Sequence, residues 1–163
     1  MIALGCDHGG FALKEEVKAH LQKRGLEVKD CGCYSTESCD YPVFGHAAAQ
    51  AVADGECEKG IVICTTGIGI SISANKVKGI RCALCSDSLS AKMTRLHNNA
   101  NMLAMGAGIV GTNLALDIVD TFLREFDDED VAFMYSEAFD STGMGQAIMN
   151  RLLKAAGHKV VNV

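Results

Sequence analysis

Three polar clusters in this sequence have residue types and spacings that could do chemistry. The most specific is Cys64-Thr65-Thr66-Gly67-Ile68-Gly69-Ile70-Ser71, a thiol and two hydroxyls ahead of a glycine-rich turn. Gly67 and Gly69 permit backbone shapes closed to other residues and let N–H groups approach a ligand. A helix starting behind such a turn adds unpaired N–H donors and the positive end of its dipole. That combination suits an anion, either a phosphate or a developing enediolate. Cys64, at the mouth of the turn, is placed to act as a base or nucleophile. The competing structural account is a tight strand-to-helix turn with a buried cysteine.

The second cluster is Asp7-His8-Gly9-Gly10, where a carboxylate beside an imidazole can fix its tautomer. The third is Arg95-Leu96-His97-Asn98-Asn99-Ala100-Asn101, one histidine among amides. A single histidine at a helix end is more often a cap than a catalyst. His20, His46 and His158 have no polar cluster and read as surface or capping residues. A dinucleotide fingerprint fails, because G-x-G-x-x-G would need glycine where Ile72 stands. The P-loop lysine pattern is absent as well.

The elements that must position these clusters alternate between strand and helix. Residues 1–6 form an apolar strand ending at Asp7. A helix follows, with Leu13, Val17 and Leu21 on one face and Lys14, Lys18 and Lys23 elsewhere. Residues 26–33 read as a second strand with Cys31 and Cys33 on one face. A polar connection, 34–42, holds the only proline, and 44–53 is an alanine-rich helix. The run Gly60-Ile61-Val62-Ile63-Cys64 is continuously apolar, as befits a central parallel strand buried on both faces. A helix begins near Ile70. Strands at 79–85 and 102–105, and helices at 89–96, 114–126 and 145–156, complete the reading. This is an α/β chain with a Rossmann-like, doubly wound, mostly parallel sheet of about five strands. Helices cover both faces, and a C-terminal helix is added. The whole of 1–163 reads as one domain. In such folds functional residues lie at the carboxyl ends of strands, near the switch in strand order, and all three clusters are expected there.

Composition narrows the classes. Apolar residues make up 48% of the 163 and charged ones 21%, a globular balance. The formal charge is −5 with no block of Lys or Arg, which argues against nucleic acid as a partner. No stretch reaches the length of a membrane span, and the N-terminus lacks the features of a secretory signal. The expectation is a cytoplasmic protein. Of the eight cysteines, Cys82 and Cys85 form a C-x-x-C, but on a strand that puts them on opposite faces. A redox pair or zinc knuckle is therefore disfavoured, and most of the thiols read as small buried hydrophobes.

Taken in order, these motifs resemble one family. Gly5-Cys6-Asp7-His8-Gly9-Gly10, Asp40-Tyr41-Pro42, the 64–69 loop with Ala74-Asn75-Lys76, and residues 95–101 look like the type B ribose-5-phosphate isomerases and the galactose-6-phosphate isomerase subunits. The resemblance spans roughly residues 1–125. It implies that Cys64 moves a proton between C1 and C2 of a sugar or sugar phosphate. Thr66 and the amides of 67–71, among them Gly67, Ile68, Gly69 and Ser71, would hold the enediolate oxygen. His97, aided by Asp7, would open the sugar ring, Asn98 would orient hydroxyls, and His8 would lie near the phosphate. No metal or cofactor is implied. The implied assembly is a homodimer or dimer of dimers with a shared active site.

The chain departs from the family pattern at Thr65, where glycine is usual. Pentose-phosphate enzymes also carry arginine in the run that here reads Gly106-Ala107-Gly108-Ile109-Val110-Gly111, and an arginine-rich run near the C-terminus. Here an acidic stretch follows Phe126 instead, and Arg151, Lys154 and Lys159 are the basic residues beyond it. Ribose 5-phosphate is the expected substrate. The alternatives are galactose 6-phosphate, a tetrulose phosphate or a free aldose, or a non-catalytic binding subunit of a hetero-oligomer.

Overall fold

The computed structural model describes residues 1–126; the expected helix at 145–156 and the basic residues beyond Phe126 lie outside the described residues. Ten elements alternate without exception. They are β1 (Ile2–Cys6), α1 (Phe11–Lys23), β2 (Val28–Asp30), α2 (Tyr41–Ala53), β3 (Lys59–Cys64), α3 (Ile68–Ala74), β4 (Cys82–Leu84), α4 (Ser88–Asn98), β5 (Met102–Gly106) and α5 (Thr112–Leu123).

The five strands form one sheet in the order β2-β1-β3-β5-β4, and every pairing is parallel. β1, β3 and β5 are buried along their whole length, which is why their sequences run apolar without alternation. Side chains still alternate between two cores. Ile61, Ile63, Leu103 and Met105 face one core, which is closed by α1, α5 and Ala91 of α4. Val62, Cys64 and Ala104 face the other, closed by the alanines of α2 and by Ile70 and Ala74 of α3. Each fully buried Ile or Leu contributes roughly 1.5–3 kcal/mol, so these layers supply the main stabilisation.

Several local expectations change. α2 begins at Tyr41, not Phe44, because Pro42 sits in its first turn, where a missing N–H costs nothing. β2 ends at Asp30, so strand alternation does not govern Cys31 and Cys33. Cys33 joins one core, and Cys31 packs against the other. Lys14 is not on a solvated face but is fully buried. Its Nζ donates to both carboxylate oxygens of Asp30 at 2.8 and 2.9 Å and to the Cys33 carbonyl at 2.8 Å. The Phe11 and Tyr34 rings lie 5.5 and 5.2 Å from it. Burial opposes the Lys14 charge, but hydrogen bonds to Asp30 and Glu15 outweigh it and hold Lys14 above the ordinary lysine range. Burial likewise opposes the Asp30 charge, and Lys14, Lys18 and the Gly32 amide overcome it and hold Asp30 below its usual range.

Candidate active site

The strand order reverses between β1 and β3, and both strands end at this switch point. Two of the three polar clusters meet there. The Asp7 amide donates to the Ile63 carbonyl at 3.2 Å, tying the end of β1 to the end of β3. Asp7 is buried, and its Oδ1 accepts the Gly10 amide at 2.9 Å. His8 is half-buried beside Cys39, whose amide donates to His8 Nδ1 at 3.2 Å. That tautomer leaves Nε2–H as a donor.

Cys64 is the last residue of β3, and its thiol is buried. The Gly67 amide points at Cys64 Sγ, 3.1 Å away. An N–H aimed at sulfur stabilises negative charge there. The turn is possible because Gly67 adopts φ +77°, and because a side chain there would strike Leu84 and the backbone of Met105. α3 starts at Ile68, two residues earlier than expected, and it has only seven residues. Its dipole is therefore small, and the turn amides themselves carry the electrostatics. The Ile68 amide donates to Thr66 Oγ1 at 3.3 Å. Ser71 is committed within the helix, its amide to the Gly67 carbonyl and its hydroxyl to the Ile68 carbonyl. The amides of Gly69 and Ile70 are the first-turn donors that a helix leaves open. The ring of Tyr41 lies against Gly69. Beside the turn, a cavity of about 260 Å³ is lined by Thr66, Ile68, Leu84, Cys85, Gly106 and Ile109.

The third cluster does not join them. A segment leading into a strand of a parallel sheet lies at the amino end of that strand. Residues 95–101 lead into Met102, which pairs with Gly60 and Cys82 at the sheet's amino edge. Cys64 pairs with Gly106, at the other end of β5. Four residue steps along the strand separate the two edges by about 13 Å. His97 and Asn98 therefore sit at the opposite end of the sheet from Cys64, Asp7 and His8 of the same chain, which corrects their expected place at a carboxyl edge. Arg95 in this cluster is a fastener: Nη1 donates to the Ala100 carbonyl at 2.6 Å, and the guanidinium lies over Phe122.

Two side chains at the amino edge have contacts that the sequence did not show: Asn75, marked there only as part of a motif, and Arg81, which was not singled out. Asn75 bridges the end of α3 to β4, donating to the Ser71 and Cys82 carbonyls and accepting the Cys82 amide. Arg81 reads only as a strand residue between Ile80 and Cys82, and nothing in its neighbours announces its contacts to Asn98 and Asn99. The C-x-x-C thiols face opposite cores as expected. Burial pushes Cys82 up to about 12, and burial with the Asp87 charge pushes Cys85 up to about 11. Neither behaves as a reactive redox thiol. Among the described residues no group of three or more His, Cys, Asp or Glu converges to hold a metal ion. No helix among them is long and apolar enough to cross a membrane.

A parallel α/β sheet with a thiol and open amides at its switch point defines a doubly wound enzyme fold. The profile of the ribose/galactose isomerase family matches residues 2–133, and the chain belongs to that family of sugar-phosphate isomerases. A shorter match, to the C-terminal domain of threonylcarbamoyl-AMP synthase, covers residues 119–157. The chain is 54% identical to ribose-5-phosphate isomerase B of Escherichia coli over 122 residues, covering 75% of this chain and 82% of that enzyme. It is 45% identical to galactose-6-phosphate isomerase subunit LacB of Clostridium acetobutylicum over 124 residues, covering 76% and 72%. Among solved structures, ribose-5-phosphate isomerase B of Clostridium thermocellum superposes with a TM-score of 0.76 at 48% identity, covering 96% of this chain and 97% of that one.

Proposed function

We propose that this chain interconverts ribose 5-phosphate and ribulose 5-phosphate by proton transfer through an enediolate. The observation that carries the reading is the Gly67 amide 3.1 Å from Cys64 Sγ, within a turn whose next amides are open. As a thiolate, Cys64 takes the proton alpha to the carbonyl and returns it to the neighbouring carbon. Thr66 and the amides of Gly69 and Ile70 meet the charge that develops on oxygen. Each such contribution is on the order of 10²–10⁴ in rate. His8 donates from Nε2 to the phosphate end.

In this reading His97 opens the sugar ring and Asn98 orients hydroxyls, both in the site of a neighbouring copy. Their position at the amino edge supports that division, because they cannot reach Cys64 of their own chain. The assembly is a homodimer, or a dimer of dimers, each site completed by the partner, and the whole chain is one isomerase domain working in the cytoplasm. The test is a panel of aldose phosphates scored for ketose formation. Turnover of ribose 5-phosphate supports the reading, and no ketose from any of them removes it.

A second reading is a hexose 6-phosphate substrate. It is favoured by the absence of arginine from residues 106–111 and by the 45% identity to the galactose-6-phosphate isomerase subunit. The same panel separates the two.

A further inference from the structure

The segment that carries His97 and Asn98 ends α4, and at a helix end the last carbonyls lack intrahelical partners and the backbone tends to fray. Beyond the Arg95 bond to the Ala100 carbonyl, it is held chiefly by Arg81. The Arg81 Nε donates to the carbonyls of Asn98 at 3.1 Å and Asn99 at 2.9 Å, and Nη2 donates again to Asn99 at 2.7 Å. The backbone of Arg81 grips the far side of the same corner: its amide donates to Asn101 Oδ1 at 2.8 Å, and its carbonyl accepts the amides of Asn101 and Met102. Asn101 Nδ2 reaches on to the Gly79 carbonyl. Within this clasp Asn99 takes the left-handed conformation, φ +46° and ψ +46°, that turns the chain out of α4. Arg81, Asn98, Asn75 and Thr94 then line one cavity of about 350 Å³.

A planar fork that spans two carbonyls fixes direction as well as distance. Lysine can donate to two oxygens, but its flexible point charge lacks the planar, pre-set direction of the guanidinium. We propose that Arg81 is a positioning residue for the isomerase reaction, clamping the end of α4 so that His97 and Asn98 are presented in register to the site they serve. This rests on the role given to His97 under the proposed function. Arg81 itself touches no reacting atom.

The experiment compares wild type with Arg81→Lys and Arg81→Ala in two kinetic assays and one exchange measurement. Ribose 5-phosphate is a cyclic substrate whose ring must open. Ribulose 5-phosphate is open-chain, so deuterium wash-in at its C1 in D2O reports the Cys64 proton transfer without ring opening. We expect aldose turnover to fall about tenfold or more in both variants, the scale of a small misplacement of a catalytic group. Wash-in should fall at least several-fold less than turnover. Hydrogen exchange at the Asn99 and Ala100 amides should quicken while the sheet stays protected. If Arg81→Ala does not fold, Arg81→Lys decides. Equal losses in both assays, or no loss in a folded variant, would overturn the inference while leaving the proposed function intact. A wild type inactive in both assays would remove that function, and this inference with it.

Discussion

The hydroxyl of Thr65 occupies the space that a Cβ on Gly9 would need. The loop after β1 and the loop after β3 meet at this contact, and the Thr65 carbonyl also accepts the Gly108 amide at 2.9 Å. A threonine fits after Cys64 here because position 9 has no side chain to oppose it. Gly9→Val should crowd the Thr65 hydroxyl at this exposed corner and cost about 0.5–1.5 kcal/mol, the scale of pushing a side chain off its rotamer. Adding Thr65→Gly should recover most of that loss. Denaturation midpoints of the two single variants and the double variant give the coupling energy, and strict additivity would show that the two positions do not compete for space.

Cys64→Ala should keep the fold and lose at least about a hundredfold in turnover, the scale of losing a general base. Cys82→Ala and Cys85→Ala, whose thiols are held protonated by burial, should stay near wild-type rates. Steady-state kinetics on folded variants check both halves, and an active Cys64→Ala protein would take the thiol out of the mechanism.

Two inactive variants should rescue each other. Cys64→Ala spoils the carboxyl edge of a chain and His97→Ala its amino edge. In the proposed shared-site dimer, a mixed pair places both lesions in one site and leaves the other intact. Random reassembly of equal amounts should restore about a quarter of wild-type activity, since half the dimers are mixed and each has one good site. Assaying before and after mixing, unfolding and refolding tests this. Absence of any recovery would mean that both residues act within one chain.

The Lys14–Asp30 pair predicts how stability changes with pH. Asp30 titrates below its ordinary range when folded, so its contribution is complete above the unfolded aspartate value, about 3.9. It is lost as pH falls through the depressed folded value. Lys14 is shifted upward, so its contribution is complete below about 10.4 and is lost as pH rises past that point. Asp30→Asn should flatten the acid limb of a stability–pH curve. Lys14→Ala should cost about 2–5 kcal/mol at neutral pH, chiefly through the cavity left by its buried stem, because Asp30 keeps Lys18 at 2.7 Å and the Gly32 amide as partners. Urea midpoints across pH provide the comparison.

How much of this was legible in the sequence depends on where the deciding partners lie. The apolar runs of β1 and β3 announced buried parallel strands, and the glycines around Cys64 announced the turn, because in both cases the signal is local. Lys14 misled because its neighbours in sequence place it off the apolar stripe of α1. Asp30 and the ring of Tyr34, which enclose it, come from later segments. The 95–101 cluster carried a readable signal that chemistry-first reading passed over: it precedes a strand, and so belongs at the amino edge. Arg81 was silent, since its value lies in carbonyls 17 and 18 residues away.

In the proposed two-chain site, the separation of Cys64 from His97 across the sheet also has a consequence for dosage. A centre assembled from two chains exists only in proportion to paired molecules. Below the concentration at which pairs dissociate, flux should rise with the square of protein abundance. Halving expression in that regime would cut output about fourfold, so a cell would feel modest transcriptional changes more sharply than it would with an enzyme complete in one chain.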